Sequence, residues 1–324
     1  MILHLKSCND PSLVGGKAAG LGQLHRCGFR VPPGLCLTTD VYRDALRAAG
    51  VDPSQQWANI RRASDAAREP MLEECRRRVE ALSLSQAVHD ALERELVELE
   101  LTAGPRTGTL WAVRSSASHE DGTEATFAGV YRTLLGVPRG SIAAAIPQCW
   151  ASLWTSAAAS YHAATGAGHE PPAMAVIVQP LLMPWSAGVA YSRHPVTGHA
   201  GQVVINATFG LAEPLVTGRV TPDQYVIEVV SDPPSRKLLD RIVAEKTSIR
   251  VATPTGIRDQ SAPEEVRLKP VLGDEEAMAL AALVKDVERA FQGPVDVEWA
   301  IENGATWLLQ ARAIPKTGSQ DDLI

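Results

Sequence analysis

The stretch DVEWAIE-NGA-TWLLQAR, residues 296–312, carries the pattern that best predicts how this chain folds. Polar and apolar residues alternate on both sides of the NGA segment, and alternation with a period of two is typical of strands that bury one face. The stretch therefore predicts a β-hairpin. One face carries two acids, an amide and an arginine, which are Asp296, Glu298, Gln310 and Arg312. The other face carries Val297, Trp299, Ile301, Trp307, Leu309 and Ala311.

The length of the loop determines which residues face each other across this hairpin. A two-residue turn would place Glu298 opposite Leu309 and would mix the polar face with the apolar face. A three-residue loop instead places Glu298 opposite Gln310. It also places Asp296 opposite Arg312, so that both faces become consistent. We therefore predict the three-residue loop and this register.

The polar face of the hairpin is consistent with two interpretations. Carboxylate and carbonyl oxygens suit Mg²⁺, and a guanidinium suits a phosphate group. The same residue types are also typical of a solvated edge hairpin that binds nothing. The hairpin alone does not distinguish these two interpretations.

Composition narrows the class of protein. The chain has 324 residues, of which 45% are hydrophobic and 21% charged, and this predicts a soluble globular protein long enough for two lobes. A net charge of −6 argues against nucleic acid or an anionic membrane as a partner. Five cysteines without a CxxC pair indicate reduced thiols in a cytoplasmic protein. We expect neither a signal peptide nor a transmembrane helix.

A glycine pair near the N-terminus predicts the start of a helix. In GGKAAGLGQLHRCG, residues 15–28, the pair reads as a tight turn and Gly28 as the helix end. Lys17 then lies in the first turn, where the helix dipole disfavours a cation and a bound anion would offset the conflict. The stretch is not a Walker A loop, because Pro11 and Ala18 occupy positions that require Gly and Ser/Thr. A solvated helix start is the alternative.

A second candidate phosphate contact comes from TLWAVRSSASHEDG, residues 109–122. The pattern predicts a strand that delivers Arg114 into a serine-rich loop. A guanidinium beside hydroxyl and N–H donors suits phosphate. The alternative is a surface loop in which serine and aspartate form turns.

Four segments occur in one order along the chain: GGKAAGLGQL, AVRSSASHEDGTEATFAGVYRTLLGV, INATFGLAEPLVTGRVTPDQYVIE and VDVEWAIENGATWLLQARAI. Together they closely resemble the nucleotide-binding domain of the phosphoenolpyruvate-utilising enzymes. The SSASHED…FAG version is more similar to phosphoenolpyruvate synthase and rifampin phosphotransferase than to pyruvate phosphate dikinase. The resemblance runs from about residue 13 to residue 314.

This resemblance implies an α+β fold of the ATP-grasp type, with two lobes and ATP bound in the cleft between them. The first lobe would span residues 1–180, with a helical segment at about 40–100. The second lobe would span residues 181–316, and residues 317–324 would form a polar tail.

The resemblance also implies residue roles, with ATP and Mg²⁺ as the ligands. Lys17, Arg114 and Arg312 become catalytic phosphate contacts, and Gln179 and Leu181 become the hinge beside adenine. The ATP-binding set is Lys17, Arg114, Gly129, Gln179, Leu181, Glu213, Glu298, Gln310 and Arg312. The implied metal ligands are Glu298 and Gln310, with Asp296 nearby.

The sequence departs from the family pattern in two respects. Val130 follows F-A-G where the family usually has Gln, which affects a loop that closes over the phosphates. None of the eight histidines lies in the Gly-Gly-x-x-Ser/Thr-His setting that carries the phosphoryl group in the family. The domain that binds the acceptor also has no counterpart. We therefore expect the nucleotide-binding part alone.

The main functional hypothesis is an ATP-dependent phosphotransferase domain that transfers a phosphoryl or pyrophosphoryl group to a histidine on a separate carrier domain or protein, with AMP as product. One alternative is a stand-alone kinase that phosphorylates a small molecule directly, with His119 as base or transient carrier and ADP as product. Another is an ATP-binding subunit without turnover, and a weaker one is an ATP-grasp ligase that forms an acyl phosphate. The sequence does not identify the acceptor.

Overall fold

The computed structural model describes residues 1–102, 110–118, 130–164, 171–231 and 234–314. The chain divides into two compact units. The first comprises Met1–Arg26, Pro32–Leu181 and Pro254–Gly256, and the second comprises Cys27–Val31, Leu182–Thr253 and the chain from Ile257 onward. Each unit combines helices with a main antiparallel sheet, which confirms the predicted α+β class.

The sheet of the first unit has five antiparallel strands in the order β1-β2-β5-β3-β4. The strands are β1 (Ile2–His4), β2 (Leu35–Leu37), β3 (Trp111–Ala117), β4 (Thr133–Val137) and β5 (Met174–Pro180). Every residue of β3 and β5 is buried, because both strands lie inside the sheet. Burial along a whole strand explains the nearly continuous apolar sequences, in which Arg114 and Gln179 are exceptions.

Seven α-helices accompany this sheet in the described part of the first unit. They are α1 (Pro11–Arg26), α2 (Thr39–Ala48), α3 (Pro53–Arg62), α4 (Asp65–Glu80), α5 (Gln86–Thr102), α6 (Ile142–Ala151) and α7 (Ser156–Ala164). Helices α1 and α6 both contact β3 and β5. The sheet therefore fixes the position of α1, which carries Lys17.

Aromatic residues fill the core of the first unit. The Trp57 and Trp154 rings stack with centroids 5.1 Å apart, and the Trp154 indole N–H donates to the Tyr42 hydroxyl at 3.2 Å. Trp150 and Trp154 are both fully buried, although α6 ends at Ala151 and Trp154 lies beyond the end of the helix.

The second unit is organised on a six-stranded sheet with the order β13-β12-β6-β7-β8-β9. The strands are β6 (Ser186–Tyr191), β7 (Gln202–Phe209), β8 (Asp223–Ser231), β9 (Pro234–Ile242), β12 (Val295–Glu302) and β13 (Ala305–Ala313), and a separate hairpin is formed by β10 (Ser248–Thr253) and β11 (Gly256–Ser261). The helices are α8 (Glu213–Val216), α9 (Glu264–Arg267) and α10 (Asp274–Phe291). A buried stripe on α10 contacts β7 and β8.

The closing hairpin has the predicted polar pairs but not the predicted loop. Glu298 lies opposite Gln310 and Asp296 opposite Arg312, which confirms the register. The turn nevertheless has two residues, since Glu302 already pairs with Ala305. Asn303 and Gly304 have φ angles of 51° and 72°, as a type I′ turn requires at both central positions.

A β-bulge reconciles the short turn with the register. Glu298 pairs with Gln310 but Trp299 pairs with Leu308, so Leu309 is an extra residue in β13. The predicted apolar face is therefore wrong beyond the bulge. Leu308 is buried behind the hairpin opposite Trp299, whereas Trp307 and Leu309 pack with Ala300.

A buried ion pair between Asp223 and Lys246 joins the start of β8 to the chain that follows β9. Lys246 Nζ lies 2.6 Å from Asp223 Oδ1, and neither side chain is exposed beyond 4%. The Asp223 carboxylate also accepts the N–H groups of Ala244 and Val271, both at 2.8 Å. Lys246 Nζ donates to the Lys269 carbonyl at 2.8 Å. The pair is thus well satisfied, as a buried pair of charges must be.

Asp223→Asn should destabilise the second unit strongly, because it leaves the Lys246 ammonium buried without a countercharge. Removing one partner of a buried pair costs about 3–5 kcal/mol. Urea unfolding of the variant should show this loss in the free energy of unfolding. Asp240→Asn, at an exposed position on β9, is the matched control and should change it by less than about 0.5 kcal/mol. Equal effects of the two variants would contradict this account.

Candidate functional site

Lys17 lies directly after a break in α1. Gly15 has φ 75° and ψ 164°, which is not helical and interrupts the helix between Val14 and Gly16. The segment from Gly16 to Arg26 therefore has its own N-terminus, and Lys17 lies in its first turn, as the glycine pair predicted. A helix N-terminus favours anions because its first N–H groups lack intrahelical partners. Lys17 is half-buried at this end.

Arg114 lies on β3 and is only 9% exposed. Its strand neighbours are Thr133 on β4 and Ile177 on β5. Alternate residues of a strand share a face, so Arg114 lies on the same side of the sheet as Ser116. Ser116 contacts α1, and the first unit therefore carries both predicted phosphate-binding cations, Arg114 and Lys17, on the side of the sheet that α1 covers.

The positive charge of Lys17 is felt at a neighbouring thiol. Burial raises the pKa of Cys149 to about 12, while the charges of Arg132 and Lys17 oppose that rise. Cys149 lies on α6, and its thiol donates to the Val113 carbonyl of β3 at 3.6 Å.

Gln179 and Leu181, the predicted hinge, lie at the end of β5 and just beyond it. The Gln179 amide donates to the Pro32 carbonyl at 2.9 Å. The Leu181 N–H donates to the Leu110 carbonyl at 2.7 Å. Both groups thus fix the end of the strand, and the buried Gln179 side chain is used within the protein. A role beside adenine would fall to the remaining backbone and apolar groups of this segment.

On the hairpin, Arg312 forms a bidentate ion pair with Asp296. Arg312 Nε and Nη2 donate to the two carboxylate oxygens at 3.0 and 2.5 Å. Burial raises the pKa of Asp296, and Arg312 opposes this by stabilising the ionised form. Burial also raises the pKa of the adjacent Tyr191, which pairs with Asp296 from β6. Ionised Asp296 is therefore costly in this environment despite its partner.

Glu298 and Gln310 form the next cross-strand pair, one step toward the turn. Glu298 is half-buried and Gln310 is 4% exposed. Directly opposed residues have Cβ atoms about 4.5–5.5 Å apart, so a carboxylate and an amide carbonyl are within reach of one ion. Mg²⁺ prefers oxygen ligands and is bound by one or two carboxylates with waters. The donor set of Glu298, Gln310 and Asp296 fits Mg²⁺.

Glu213 lies at the start of α8 and forms ion pairs with two arginines. Arg250 Nε lies 2.7 Å from its carboxylate, and Arg219 is the other partner. Arg250 also pairs with Asp259 at 2.9 Å. Both arginines line a cavity of about 150 Å³. The sequence predicted Glu213 as an ATP-binding residue, and the structure places it beside arginine side chains that the sequence did not single out.

Two predicted contributions lie outside the described residues, namely Gly129 and His119. A larger cavity of about 510 Å³ in the first unit is lined by parts of α2 and α3 and by residues 171–173, and contains no predicted site residue. Sequence reasoning missed Tyr191 and the structural use of Ser116. The sequence of β6, SAGVAY, does not mark Tyr191, and only the strand register reveals its neighbour Asp296.

The raised pKa of Asp296 predicts a pH dependence with a defined sign. A carboxyl whose folded pKa exceeds its unfolded pKa stabilises the fold when protonated, and that stabilisation is lost as the pH rises through the folded pKa. The free energy of unfolding of the wild type, minus that of Asp296→Asn, should therefore fall as the pH rises from about 3 to 7. Urea titrations at several pH values would measure it. A difference that grows with pH would show that Arg312, not burial, controls Asp296.

Comparisons with known proteins identify the family. A family model described as the pyruvate phosphate dikinase AMP/ATP-binding domain matches residues 11–323. The chain is 31% identical to the phosphoenolpyruvate synthase of Pyrococcus furiosus over 95% of this chain and 42% of that protein. It is 34% identical to the rifampicin phosphotransferase of Streptomyces sviceus over 97% of this chain and 36% of that protein.

The chain spans less than half the length of these curated relatives. In the part of the chain that the structure describes, no helix is both long and apolar enough to span a membrane. The resemblance inferred from the four sequence segments is confirmed. The chain belongs to the pyruvate phosphate dikinase AMP/ATP-binding domain family, whose fold is of the ATP-grasp type.

Proposed function

We propose that the chain binds Mg-ATP and that a histidine on a separate carrier domain or protein attacks its β-phosphorus. The bond between the β-phosphorus and the oxygen that bridges it to the α-phosphate breaks, so that the pyrophosphoryl group passes to the histidine and AMP leaves. Hydrolysis of the terminal phosphate then releases inorganic phosphate and leaves the histidine with one phosphoryl group. The observation that carries this proposal is the polar face of the closing hairpin. Asp296 and Arg312 form a two-bonded ion pair beside Glu298, which lies opposite Gln310. The Asp296 and Arg312 side chains are only 13% and 22% exposed. Charged groups that are largely withdrawn from water are costly, and their concentration on one strand pair is typical of a functional site.

The residue roles follow from charge and donor type. Lys17 and Arg114 would bind the phosphate groups, with Lys17 at a helix N-terminus that itself favours anions. Arg312 would add a forked guanidinium suited to phosphate oxygens. Glu298 and Gln310 would hold Mg²⁺, which neutralises phosphate charge when bound. Gly129, Gln179, Leu181 and Glu213 complete the proposed ATP-binding set.

Phosphoryl transfer depends on positioning and charge neutralisation more than on covalent chemistry by the protein. Cations that neutralise the negative charge of the phosphate groups make the phosphorus atom more accessible to a nucleophile. The protein's task is thus to orient ATP and to present one phosphorus atom. The carrier histidine would supply the nucleophile, as the sequence resemblance to the phosphoenolpyruvate-utilising enzymes implies. The acceptor and the carrier are properties of the whole protein or complex.

Lys17→Ala should weaken ATP binding by about tenfold to a hundredfold, because a hydrogen bond to a charged group contributes about 1.5–3 kcal/mol. AMP lacks the β and γ phosphates, so its affinity should stay within about twofold. Isothermal titration calorimetry with both nucleotides measures this. Lys6→Ala, at an exposed position, is the matched control and should bind ATP normally. Equal losses for ATP and AMP would contradict a β/γ-phosphate contact.

Glu298→Gln should remove most of the effect of Mg²⁺ on ATP affinity, because it replaces the anionic ligand by a neutral one of the same size. Titrating ATP with and without Mg²⁺ measures the effect. Glu228→Gln, a substitution on β8 of the same sheet, should retain the full Mg²⁺ dependence. A Glu298→Gln variant that kept the wild-type Mg²⁺ dependence would contradict the proposed metal site.

The nucleotide product distinguishes the proposed function from the alternatives. With ATP and a polypeptide that holds a Gly-Gly-x-x-Ser/Thr-His segment, chromatography should detect AMP and no ADP. ADP formed with a small-molecule acceptor and no carrier would instead indicate a kinase. ATP binding with neither product, across a panel of such carrier polypeptides, would indicate a binding subunit and contradict the proposal.

A further inference from the structure

The hydroxyl of Ser116 connects both sides of the break in α1. Ser116 Oγ donates to the Val14 carbonyl at 2.8 Å and accepts the Ala18 N–H at 3.1 Å. The three residues between these two attachment points are Gly15, Gly16 and Lys17. Ser116 is fully buried and lies about a hundred residues away along the chain. A single side chain therefore holds the short backbone segment that contains Lys17.

The backbone at Gly15 has a conformation that only glycine adopts readily. Its φ of 75° with a ψ of 164° lies in the region that side-chain-bearing residues essentially avoid. A Cβ atom at Gly15 would also lie 2.1 Å from the Ser116 carbonyl oxygen. The break in α1 thus requires close contact with β3 at Ser116. Here the helix start is shaped by the strand, and not by the local sequence alone.

The hydroxyl of Ser116 also does what an N-cap residue does. The first N–H groups of a helix lack intrahelical acceptors, and a Ser oxygen commonly accepts one of them. Here the acceptor comes from a distant strand instead of the preceding residue. The Ala18 N–H is satisfied in this way, while the Val14 carbonyl before the break is satisfied by the same hydroxyl. The two helical segments are therefore fixed relative to each other.

The strand that carries Ser116 is itself held firmly. Ser116 pairs with Ala175 on β5, and all of β3 is buried. Arg114, two residues earlier, shares the face of Ser116. Strand β3 thus carries Arg114 and also holds the segment that contains Lys17. The positions of both proposed phosphate contacts are therefore set by the same strand.

Ser115, the neighbouring residue, provides a contrast. It is as buried as Ser116, but within the described residues its hydroxyl has no hydrogen-bond partner. Successive residues of a strand point to opposite faces, so Ser115 points away from the side that α1 covers. Two adjacent serines of equal size and burial thus differ in whether they hold α1.

We propose that Ser116 is a positioning residue that orients Lys17 toward the phosphate groups of ATP. This inference rests on the proposed function of Lys17. The hydroxyl does not bind the phosphate oxygens itself, because these oxygens need a donor and the single O–H of Ser116 donates to the Val14 carbonyl. Without it, the segment from Gly15 to Lys17 samples more conformations, and binding ATP must order it again.

The test is a double-mutant cycle on nucleotide affinity, measured by calorimetry on the full chain. Ser116→Ala should weaken ATP binding by about threefold to tenfold and leave AMP binding within about twofold. Ser115→Ala is the matched control and should change neither affinity. In the Lys17→Ala background, Ser116→Ala should have no further effect on ATP affinity, because a positioning residue acts only through the group it positions.

Each result has a defined meaning. If Ser116→Ala weakens ATP and AMP equally, or weakens ATP as much without Lys17 as with it, Ser116 is merely structural and the inference is wrong. If Lys17→Ala itself leaves ATP affinity unchanged, the proposed role of Lys17 fails instead. If circular dichroism shows that Ser116→Ala does not fold, the same cycle is run with Ser116→Cys, which fills the site with a weak donor and should show the same selectivity for ATP.

Discussion

One extra residue in the closing hairpin determines which polar side chains of the second unit lie on the same face of the sheet. The Asn303-Gly304 turn alone would place Glu298 opposite Leu309, and the polar residues would be divided between the two faces. The bulge at Leu309 shifts the register by one residue and restores the Glu298–Gln310 pair. Because the side-chain period of a strand is two, a one-residue shift moves every side chain beyond it to the other face. The oxygen ligands and the arginine share a face only because of this bulge.

Two ion pairs of the second unit, Asp223–Lys246 and Asp296–Arg312, differ in how well the protein stabilises their charges. Asp223 and Lys246 are fully buried, and each is saturated by partners within the protein, so the pair serves the fold. Asp296 is largely buried, with its side chain 13% exposed, and burial outweighs Arg312 in setting its pKa, so its ionised form remains costly. A stable fold does not need such an arrangement, since apolar residues of similar volume often stabilise as well or better. The difference between the two pairs supports a ligand-binding role for the hairpin.

The features of this fold differ in how local the contacts are that determine them, and those set by neighbouring residues were predictable from the sequence. The helix start at Lys17 follows from adjacent glycines, and the hairpin from alternation, so both were predictable. The polar pairs were predicted correctly from the consistency of the two faces, but the loop was wrong, because a bulge leaves no mark in the residue pattern. The predicted placement of Trp307 and Leu309 on the apolar face was wrong for the same reason. The metal-binding and phosphate-binding roles were assigned through the family resemblance. The residue types alone were equally consistent with a solvated edge hairpin that binds nothing.

The contacts that the sequence could not reveal are those between distant segments. Ser116 reads as one serine of a phosphate-binding loop, yet its hydroxyl is committed to α1. Glu213 reads as an isolated acid, yet Arg250 on β10 is its partner. In each case the partner is set by tertiary packing, and the ATP-binding role of Glu213 stays a prediction. The same separation explains why Gly15 and Ser116 act together although they are far apart in the sequence: Gly15 has a positive φ, and a Cβ atom there would lie 2.1 Å from the Ser116 carbonyl oxygen.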